Sequence, residues 1–518
     1  MITIHTFSQS GEWVWEKGDT ISGSVQPPPV WGTKGIGASG NTPACKYSFF
    51  HWQDTSGNFW IYGGVTKVAP YMGYNDVWKF DITSQNWIWI DGDSTFNSPA
   101  VYGVKGISSP NNTPGLRYFG GLSWTGKDGK FWLMGGFGED NDAVMMYNPS
   151  INEWTWMSGS TSFGNPFYGI KGVASPYNTP GIVTESNASW VDNDGNFWFY
   201  GGGSALWKYD VSTLLWTWMS GDTIENAPPV YGAFGVPDAN NKPGGRWCYA
   251  SWKDDENNFW LFGGNQSGFT GNSSFNDVWK YSVATNEWAW VGGDSGFNHT
   301  GISGDACEFS TGFTPDDRWE NRACLKDSCG NIWMYGGHNY LSTTFYDLWI
   351  YRPQLNDWSL LGSSSTHHYG TKGIADPLNW PDKLMGSISW FDHAGNMWLF
   401  GGLTGSLYQQ VMWKYVPDKE CLNNACGFTP TNDELTSSAD FKAYPNPSSG
   451  IFTIEISSSE NFSIEIQNVT GQIIFSSEEK NIHDNFKKQI DLREQPSGIY
   501  FLHVQKDALQ WVQKIVIE

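Results

Sequence analysis

The chain has 518 residues, with 30 Lys and Arg against 52 Asp and Glu, which gives a formal net charge of -22 at pH 7. This acidic balance argues against nucleic-acid binding, which requires basic surfaces, and against docking on anionic membranes. Aromatic residues make up 17% of the chain and include 32 Trp, and 61 Gly accompany them. This composition excludes a disordered chain and favours an all-β fold of short strands joined by tight turns.

The N-terminal residues, MITIHTFSQSGEWVWEKGD, lack the basic and apolar regions of a signal peptide. Farther along, no apolar run approaches the ~20 residues that a membrane-spanning helix requires. We therefore expect no signal peptide within this sequence and no membrane span.

A repeated pattern in the sequence is marked by a Gly doublet after an apolar run. Each doublet follows a turn and a strand, as in SGNFWIYGG and DGKFWLMGG, and two further strands come after it. An aromatic residue and a Trp keep a fixed spacing in these later strands, as in Phe80 and Trp87. A fixed spacing indicates a rigid hairpin, so each repeat predicts a four-stranded antiparallel sheet. The doublets are Gly63-Gly64, Gly135-Gly136, Gly201-Gly202, Gly263-Gly264, Gly336-Gly337 and Gly401-Gly402.

The doublet, the aromatic residue and the Trp at this spacing resemble the kelch repeat of galactose-oxidase-like proteins. The resemblance implies a six-bladed β-propeller over residues 1–417. The sixth repeat lacks a W-x-W strand, whereas the chain begins with one at Trp13 and Trp15. We therefore expect the N-terminal strand to complete the sixth blade and close the ring, which removes exposed edge strands.

After the repeats, residues 418–440 predict a linker, and residues 441–518 predict a small β-sandwich because apolar residues alternate between Gly turns. Segments of this tail resemble the type A C-terminal sorting domain of type IX secretion cargo. The matching residues are Pro445, Asn446, Pro447, Gly450, Gly471, Gly498, Tyr500 and Lys514.

This second resemblance implies an exported protein of the Bacteroidota kind, whose partner is the type IX secretion machinery. It implies that the tail directs passage across the outer membrane and is usually cleaved afterwards. The remaining chain would then be released or held at the outer-membrane surface.

Four loops between repeats place a basic residue three positions after a proline. These residues could gather at the mouth of a central channel and bind a carboxylate or a sulfate. The alternative, which we favour, is that each side chain braces the carbonyl groups of its own loop. The residues are Lys46, Arg117, Arg246 and Arg318.

The same loops carry an aromatic-Gly-x-x-Gly element, and a Lys often accompanies it. A ring of such residues could stack on sugars and bind their hydroxyl groups. We favour a loop that packs on itself, because repetition in nearly every unit suits architecture. The aromatic residues are Trp31, Tyr102, Tyr168, Tyr231 and Tyr369, and the lysines are Lys34, Lys105, Lys171 and Lys372.

The loops around the fifth repeat contain four histidines beside carboxylates and Cys307. Such side chains can bind Zn or Cu, although none has a recognised metal-binding spacing, and ordinary polar loops are the alternative. Asp192-Asn193-Asp194-Gly195 superficially resembles a calcium loop but also suits a strand turn. No catalytic motif occurs, so we predict no catalytic residue and no required cofactor. The histidines are His299, His338, His367 and His368.

Seven Cys residues occur, and two pairs of them are close in sequence. Cys324 with Cys329, and Cys421 with Cys426, could form local disulfides, or the thiols could be free and buried. Both interpretations stay open.

Three functions fit these patterns. The leading hypothesis is an exported binding or adhesion protein whose propeller face binds a glycan or a protein. The alternatives are a galactose-oxidase-like or other carbohydrate-active enzyme, and a structural surface protein, because a propeller fold by itself implies no single activity.

Overall fold

The computed structural model describes residues 9–20, 26–67, 71–119, 121–139, 142–162, 164–181, 183, 189–201, 204–266, 273–341, 343–405, 407–426, 441–446, 448–456, 462–468, 473–480, 486–493, 495–496, 498–506 and 509–517. The chain divides into two compact units, Met1–Phe428 and Thr429–Glu518. Within the described residues the elements are β-strands apart from one short helix, Lys419–Ala425. The all-β prediction is therefore confirmed.

The first half of the first unit contains three antiparallel sheets of four strands each, arranged in sequence order across the sheet. Sheet 1 contains Phe50–Gln53, Phe59–Tyr62, Val77–Asp81 and Asn86–Asp91. Sheet 2 contains Leu122–Thr125, Phe131–Met134, Val144–Asn148 and Glu153–Ser158. Sheet 3 contains Ser189–Val191, Phe197–Gly201, Ala205–Asp210 and Leu215–Gly221.

The second half repeats this arrangement in three more sheets. Sheet 4 contains Ala250–Lys253, Asn258–Phe262, Val278–Ser282 and Glu287–Gly292. Sheet 5 contains Cys324–Lys326, Ile332–Tyr335, Leu348–Arg352 and Asp357–Gly362. Sheet 6 contains Ile388–Phe391, Met397–Phe400 and Met412–Pro417. Short two-stranded ribbons follow three second strands, and they are Val65–Lys67 with Met72–Gly73, Asn265–Gln266 with Ser273–Ser274, and Leu403–Thr404 with Leu407–Tyr408.

The fourth strand of sheet 6 is the N-terminal strand, Gly11–Lys17, as the W-x-W pattern predicts. It pairs antiparallel with Met412–Pro417, and Trp13 lies opposite Tyr415. Ala375–Asp376 pairs with its outer edge. Trp13 is fully buried, so this strand contributes to the core as well as to the hydrogen-bond ladder.

Neighbouring sheets pack through aromatic side chains at equivalent positions. The Trp of one first strand stacks on the Phe of the next sheet's second strand, which explains why second strands are buried along their whole length. The ring centroids lie 4.6 to 5.2 Å apart in the stacked pairs Trp390–Phe59, Trp52–Phe131, Trp124–Phe197 and Trp190–Phe259.

The Gly doublets lie where the backbones of neighbouring sheets approach each other. Gly63 has a φ of +70°, and a Cβ there would lie 2.7 Å from the main-chain oxygen of Arg117 in the next sheet. The second glycine, Gly64, donates its N–H to that same oxygen at 2.9 Å. Only glycine combines this conformation with so close an approach.

The helix Lys419–Ala425 begins after Asp418, whose carboxylate accepts hydrogen bonds from the N–H groups of Glu420 and Cys421 at 2.9 and 3.0 Å. Cys421 is buried in the core that sheets 5 and 6 share with Trp13. The first part of the expected linker is therefore a helix packed within the first unit.

Two disulfides attach this helical segment to the loops of sheet 5, and they differ from the local pairs that the sequence left open beside free thiols. Cys307 is bonded to Cys421, and Cys329 is bonded to Cys426. Cys324 has a free thiol. The local pair does not form because the side chain of Cys324 lines an internal cavity, whereas Cys329 lies in the turn after that strand.

The second unit contains two antiparallel sheets with a shared apolar core. One sheet contains Phe441–Tyr444, Ile451–Ile456 and Phe486–Asp491. The other contains Phe462–Asn468, Ile473–Glu479, Gly498–Lys506 and Leu509–Ile517. Phe452, Ile454, Ile464 and Leu502 are buried in one cluster drawn from both sheets.

Candidate functional site

The four predicted basic residues are buried and are bound by groups of their own sheets. Arg246 donates to the carboxylate of Asp277 at 2.6 and 3.0 Å and to the main-chain oxygen of Gly263 at 3.0 Å. Arg318 donates in the same way to Asp347 and to the first glycine of its doublet. This geometry is the bracing arrangement, because the guanidinium groups point into the protein.

Lys46 and Arg117 follow the same rule with different partners. Lys46 pairs with Asp76 and donates to the main-chain oxygen of Gly63 at 2.9 Å. Arg117 donates to the main-chain oxygen of Gly135 at 2.9 Å and to the hydroxyl of Tyr102 at 3.0 Å. Each basic residue thus fixes the first glycine of its doublet.

The aromatic-Gly-x-x-Gly loops lie along the outer edge of the fourth strands. The N–H of Gly106 donates to the main-chain oxygen of Trp156 at 2.8 Å, and Lys105 lies 4.3 Å from the centroid of the Trp156 ring. Lys34, Lys171 and Lys372 repeat this contact on Trp89, Trp218 and Trp15. The loops therefore cover strand edges that would otherwise be open to pairing.

The predicted aromatic residues pack against the Trp side chains of these same strands. Tyr168 has its ring 5.3 Å from that of Trp218, and Tyr231 has its ring 5.1 Å from that of Trp290. Trp31, Tyr102 and Tyr369 make equivalent contacts with Trp89, Trp156 and Trp15. The hydroxyl of Tyr369 also donates to Asp382 at 2.5 Å.

A buried Asn in these loops was missed by the sequence reasoning. Asn112 donates to the main-chain oxygens of Ile107 and Trp154 at 3.2 and 3.0 Å, which ties the loop to the fourth strand. The sequence does contain a pattern that could have identified this residue, because each such Asn stands two residues before the proline of its loop. Equivalent residues are Asn41, Asn178, Asn241 and Asn379.

The four candidate histidines bind separate neighbours. His299 lies 3.5 Å from the carboxylate of Asp294, and His367 lies 2.8 Å from that of Asp382. His338 packs on the ring of Trp319 at 4.5 Å, and the main chain of His368 pairs with Trp380. Among the described residues, no group of three or more His, Cys, Asp or Glu side chains could hold a metal ion.

The Asp192 segment forms a turn in which the carboxylate is fully engaged by protein donors. Asp192 accepts from the N–H of Asn196 and from the indole N–H of Trp198, both at 2.8 Å. Asp54, Asp254, Asp327 and Asp392 make the same indole contact in other sheets. A contact repeated in this way belongs to the hairpin turn.

A cavity of about 390 Å³ is lined by residues from the first strands of all six sheets. At one equivalent register position in each strand, a small polar or titratable side chain lines it. These residues are His51, Ser123, Ser189, Ser251, Cys324 and Ser389.

Sheet 5 contributes a buried ion pair beside this cavity. Arg322 lines the cavity and donates to Glu320 at 2.9 Å, and Cys248 donates to the other oxygen of that carboxylate at 3.3 Å. Burial opposes the charge of Glu320, but Arg322 and the hydrogen-bond donors outweigh it, so the pKa of Glu320 is lowered. The pair is therefore ionised and internally neutral.

Two titratable residues of the cavity lining, His51 and Cys324, are uncharged near neutral pH. Burial, together with the charge of Arg322, lowers the pKa of His51 to about 4. Burial raises the pKa of the Cys324 thiol to about 12. Beside the paired Arg322 and Lys326, the cavity therefore presents a neutral imidazole, a thiol and hydroxyl groups.

Asn321 is the most unusual polar residue of the cavity. It is only 1% exposed, it lines the cavity, and neither amide atom has a hydrogen-bond partner among the described residues. The hydroxyl of Ser389 also has no hydrogen-bond partner among the described residues. Sequence reasoning identified the Ser-Trp pattern as a strand but did not indicate where the serines point.

In the second unit, several of the predicted sorting residues belong to the last two strands or contact them. The side chain of Asn446 accepts the N–H of Val516 at 2.8 Å, and the hydroxyl of Tyr500 donates to the main-chain oxygen of Pro496 at 2.7 Å. Gly450 has a φ of +93° and its oxygen accepts the N–H of Leu492. Pro445 precedes Asn446, Gly498 pairs with Ile517, and Lys514 pairs with Phe501 in the backbone ladder. Pro447 and Gly471 lie outside the described residues.

Residues 442–518 match a family described as the secretion system C-terminal sorting domain. The second unit carries a type IX secretion sorting domain. The protein is therefore exported, as a secreted or surface-attached chain, and the sorting domain interacts with the type IX machinery. Among the described residues, no helix has both the length and the apolar character needed to cross a membrane.

No curated protein matches the chain. A solved structure titled "Structure of YjhT" is 15% identical, with a TM-score of 0.43, and the match covers 72% of this chain and 95% of that one. At this TM-score the likeness carries no argument about the fold.

Proposed function

We propose that the first unit is a closed six-bladed propeller of the kelch type, covering residues 1–417 and joined by the disulfide-bonded helix. Gly402 of sheet 6 donates to the main-chain oxygen of Lys46 in sheet 1 at 3.0 Å. This bond is equivalent to the one from Gly64 to Arg117, so the last sheet meets the first as other neighbours meet. The stacked pair Trp390–Phe59 supports the same closure.

The function that this geometry supports best is binding. We infer that the protein is an exported binding protein whose propeller holds a glycan or a protein partner, and whose C-terminal domain, residues 441–518, directs export. The observation that carries this proposal is the central cavity of about 390 Å³, which lies in the size range of ligand sites and is lined by polar side chains.

An oxidase of the galactose-oxidase kind has less support than binding. That activity requires side chains that converge on one metal, and His299, His338 and His367 instead contact different neighbours. A purely structural surface protein would need no polar cavity, and this alternative is separated from binding by experiment.

A glycan array probed with the purified full-length chain tests the proposal. Selective binding to a defined glycan set supports it. A blank array, together with self-association of the protein at the cell surface, contradicts it in favour of the structural alternative.

Export is tested separately in a host with type IX secretion. We expect the full-length chain in the medium or on the surface and a chain lacking residues 442–518 inside the cell. Equal export of both forms would contradict the role of the sorting domain.

A further inference from the structure

Asn321 lies at a local departure from the repeat. From the basic residue to the cavity-lining residue of the first strand, sheet 5 is one residue longer than sheets 1 and 4, as Arg318 to Cys324 compares with Lys46 to His51. Sheet 2 has the same longer spacing, from Arg117 to Ser123. The additional residue places an amide against the cavity and beneath Gly337, whose added Cβ would lie 3.3 Å from that of Asn321.

The unpaired state of this amide requires an explanation. Buried polar groups almost always find a hydrogen-bond partner, because leaving them unpaired is costly. Asn321 has two donors and an acceptor oxygen that no described residue satisfies. Ser389, in the next sheet, adds a second unsatisfied group that lines the same cavity.

The charges around the cavity favour a neutral ligand. The guanidinium of Arg322 is compensated by Glu320 at 2.9 Å, so no unbalanced positive charge is offered to an anion there. At the other end of the first strand, Lys326 pairs with Asp255. A carboxylated or sulfated ligand would lose its hydration without gaining a free cation.

The remaining lining suits a polyhydroxylated ring. The serines at the common register position offer hydroxyl groups that donate and accept, as sugar hydroxyls do. The aromatic residues of the cavity wall are Phe49, Trp52, Tyr249 and Trp390, and they are at most 4% exposed, so the hydroxyl groups are the part of this lining that a ligand can contact.

We propose that this cavity binds a neutral saccharide unit, and that the amide of Asn321 pairs with its hydroxyl groups. The proposal rests on the proposed binding function and specifies its site and its ligand class. The hydroxyl of Ser389 is a second contact to the same unit.

Saturation-transfer NMR and calorimetry on the full-length chain test this site. The probes are glucose, galactose, mannose and N-acetylglucosamine, compared with glucuronate and galacturonate. We expect at least one neutral sugar to bind and the matched uronate to bind more weakly. Tighter binding of the uronates than of every neutral sugar would overturn the ligand class.

The Asn321→Leu variant separates a binding role from a structural one. We expect it to weaken sugar binding by about tenfold or more, because the paired hydroxyls lose their partner. Its melting temperature should be retained or raised, because an unpaired amide is replaced by an apolar group of similar volume. Unchanged affinity in this variant would overturn the proposal, and a lower melting temperature would assign Asn321 to the fold.

Two further variants keep the test decisive. Asn240→Leu changes an exposed loop residue and should leave sugar binding unchanged. Ser389→Ala should weaken binding even if Asn321→Leu fails to fold. If the glycan array is positive while Asn321→Leu and Ser389→Ala both bind normally, the cavity proposal fails and the binding function stands.

Discussion

The ammonium group of Lys46 pairs with the carboxylate of Asp76, and both side chains are fully buried. Equivalent positions in sheets 4 and 5 hold Arg246 with Asp277 and Arg318 with Asp347. In sheets 3 and 6 the two positions are instead apolar, with Val183 and Ala205 in one and Leu384 and Val411 in the other. These two positions of the repeat thus hold either a charged pair or an apolar pair. Sheet 2 is mixed, because it has the charged Arg117 at the first position and the apolar Ala143 at the second.

Replacing one member of such a pair should lower the free energy of unfolding far more than replacing both. We expect Lys46→Leu to lower the free energy of unfolding by about 3–5 kcal/mol, because Asp76 is left buried without its cation. The double variant Lys46→Leu with Asp76→Val should recover most of this loss, since it reproduces the pair found in sheet 6. Urea denaturation measures both, and a double variant as unstable as the single one would contradict the equivalence of the two pair types.

The loop Asn residues should stabilise the edge cover of each sheet. Asn112→Ala removes the donors to Ile107 and Trp154, and we expect a loss of about 1–3 kcal/mol in the free energy of unfolding because two carbonyl groups lose their partners. Asn111→Ala is the matched control, since this neighbouring residue is exposed. Equal effects of the two substitutions would show that the buried contact is unimportant.

His51 should make stability depend on pH between about 4 and 6.5. The pKa of His51 is lowered from 6.5 to about 4 in the folded chain, so the unfolded chain binds a proton that the folded chain does not bind. Stability therefore falls as the pH decreases from 6.5 towards 4 and is regained on raising the pH.

Comparison with the His51→Gln variant separates the contribution of His51 from that of the carboxylates, which titrate in both proteins. It should lose less stability than the parent chain between pH 6.5 and pH 4.5 in denaturant titrations. An identical pH dependence in the two proteins would mean that His51 is charged in the fold.

The disulfides should connect Cys307 with Cys421 and Cys329 with Cys426. Peptide mapping under non-reducing conditions should yield these two crosslinks and no peptide joining Cys324 to Cys329. Each closes a long loop, with sequence separations of 114 and 97 residues.

Removing one of these bonds should therefore destabilise the first unit measurably. We expect Cys307→Ala with Cys421→Ala to cost about 2–5 kcal/mol, mainly by freeing the unfolded chain. Cys45→Ala is the control, because Cys45 is buried but free. A similar loss of stability in both variants would mean that lost side-chain packing, and not the lost disulfide, causes the destabilisation.

Local periodicity determined most of the architecture. The alternation in strands such as NWIWI, the glycines before close backbone contacts and the unmatched Trp13 strand are short-range patterns. Sequence alone could therefore predict the hairpins of the sheets, because side-chain alternation and turns depend mainly on neighbouring residues. The N-terminal strand of sheet 6 followed from the W-x-W strand that the sixth repeat lacks, and the sorting domain followed from a family resemblance.

The tertiary structure decided which side chains meet across long stretches of sequence. The pairing of Cys307 with Cys421, the burial of Arg246 against Asp277 and the meeting of six first strands around one cavity depend on contacts between distant segments. A basic residue after a proline is compatible with a ligand contact as well as with the internal brace that the sequence favours, and only the tertiary structure shows that these side chains are buried. The amide of Asn321 became a candidate ligand contact only when its surroundings showed that no described protein group satisfies it.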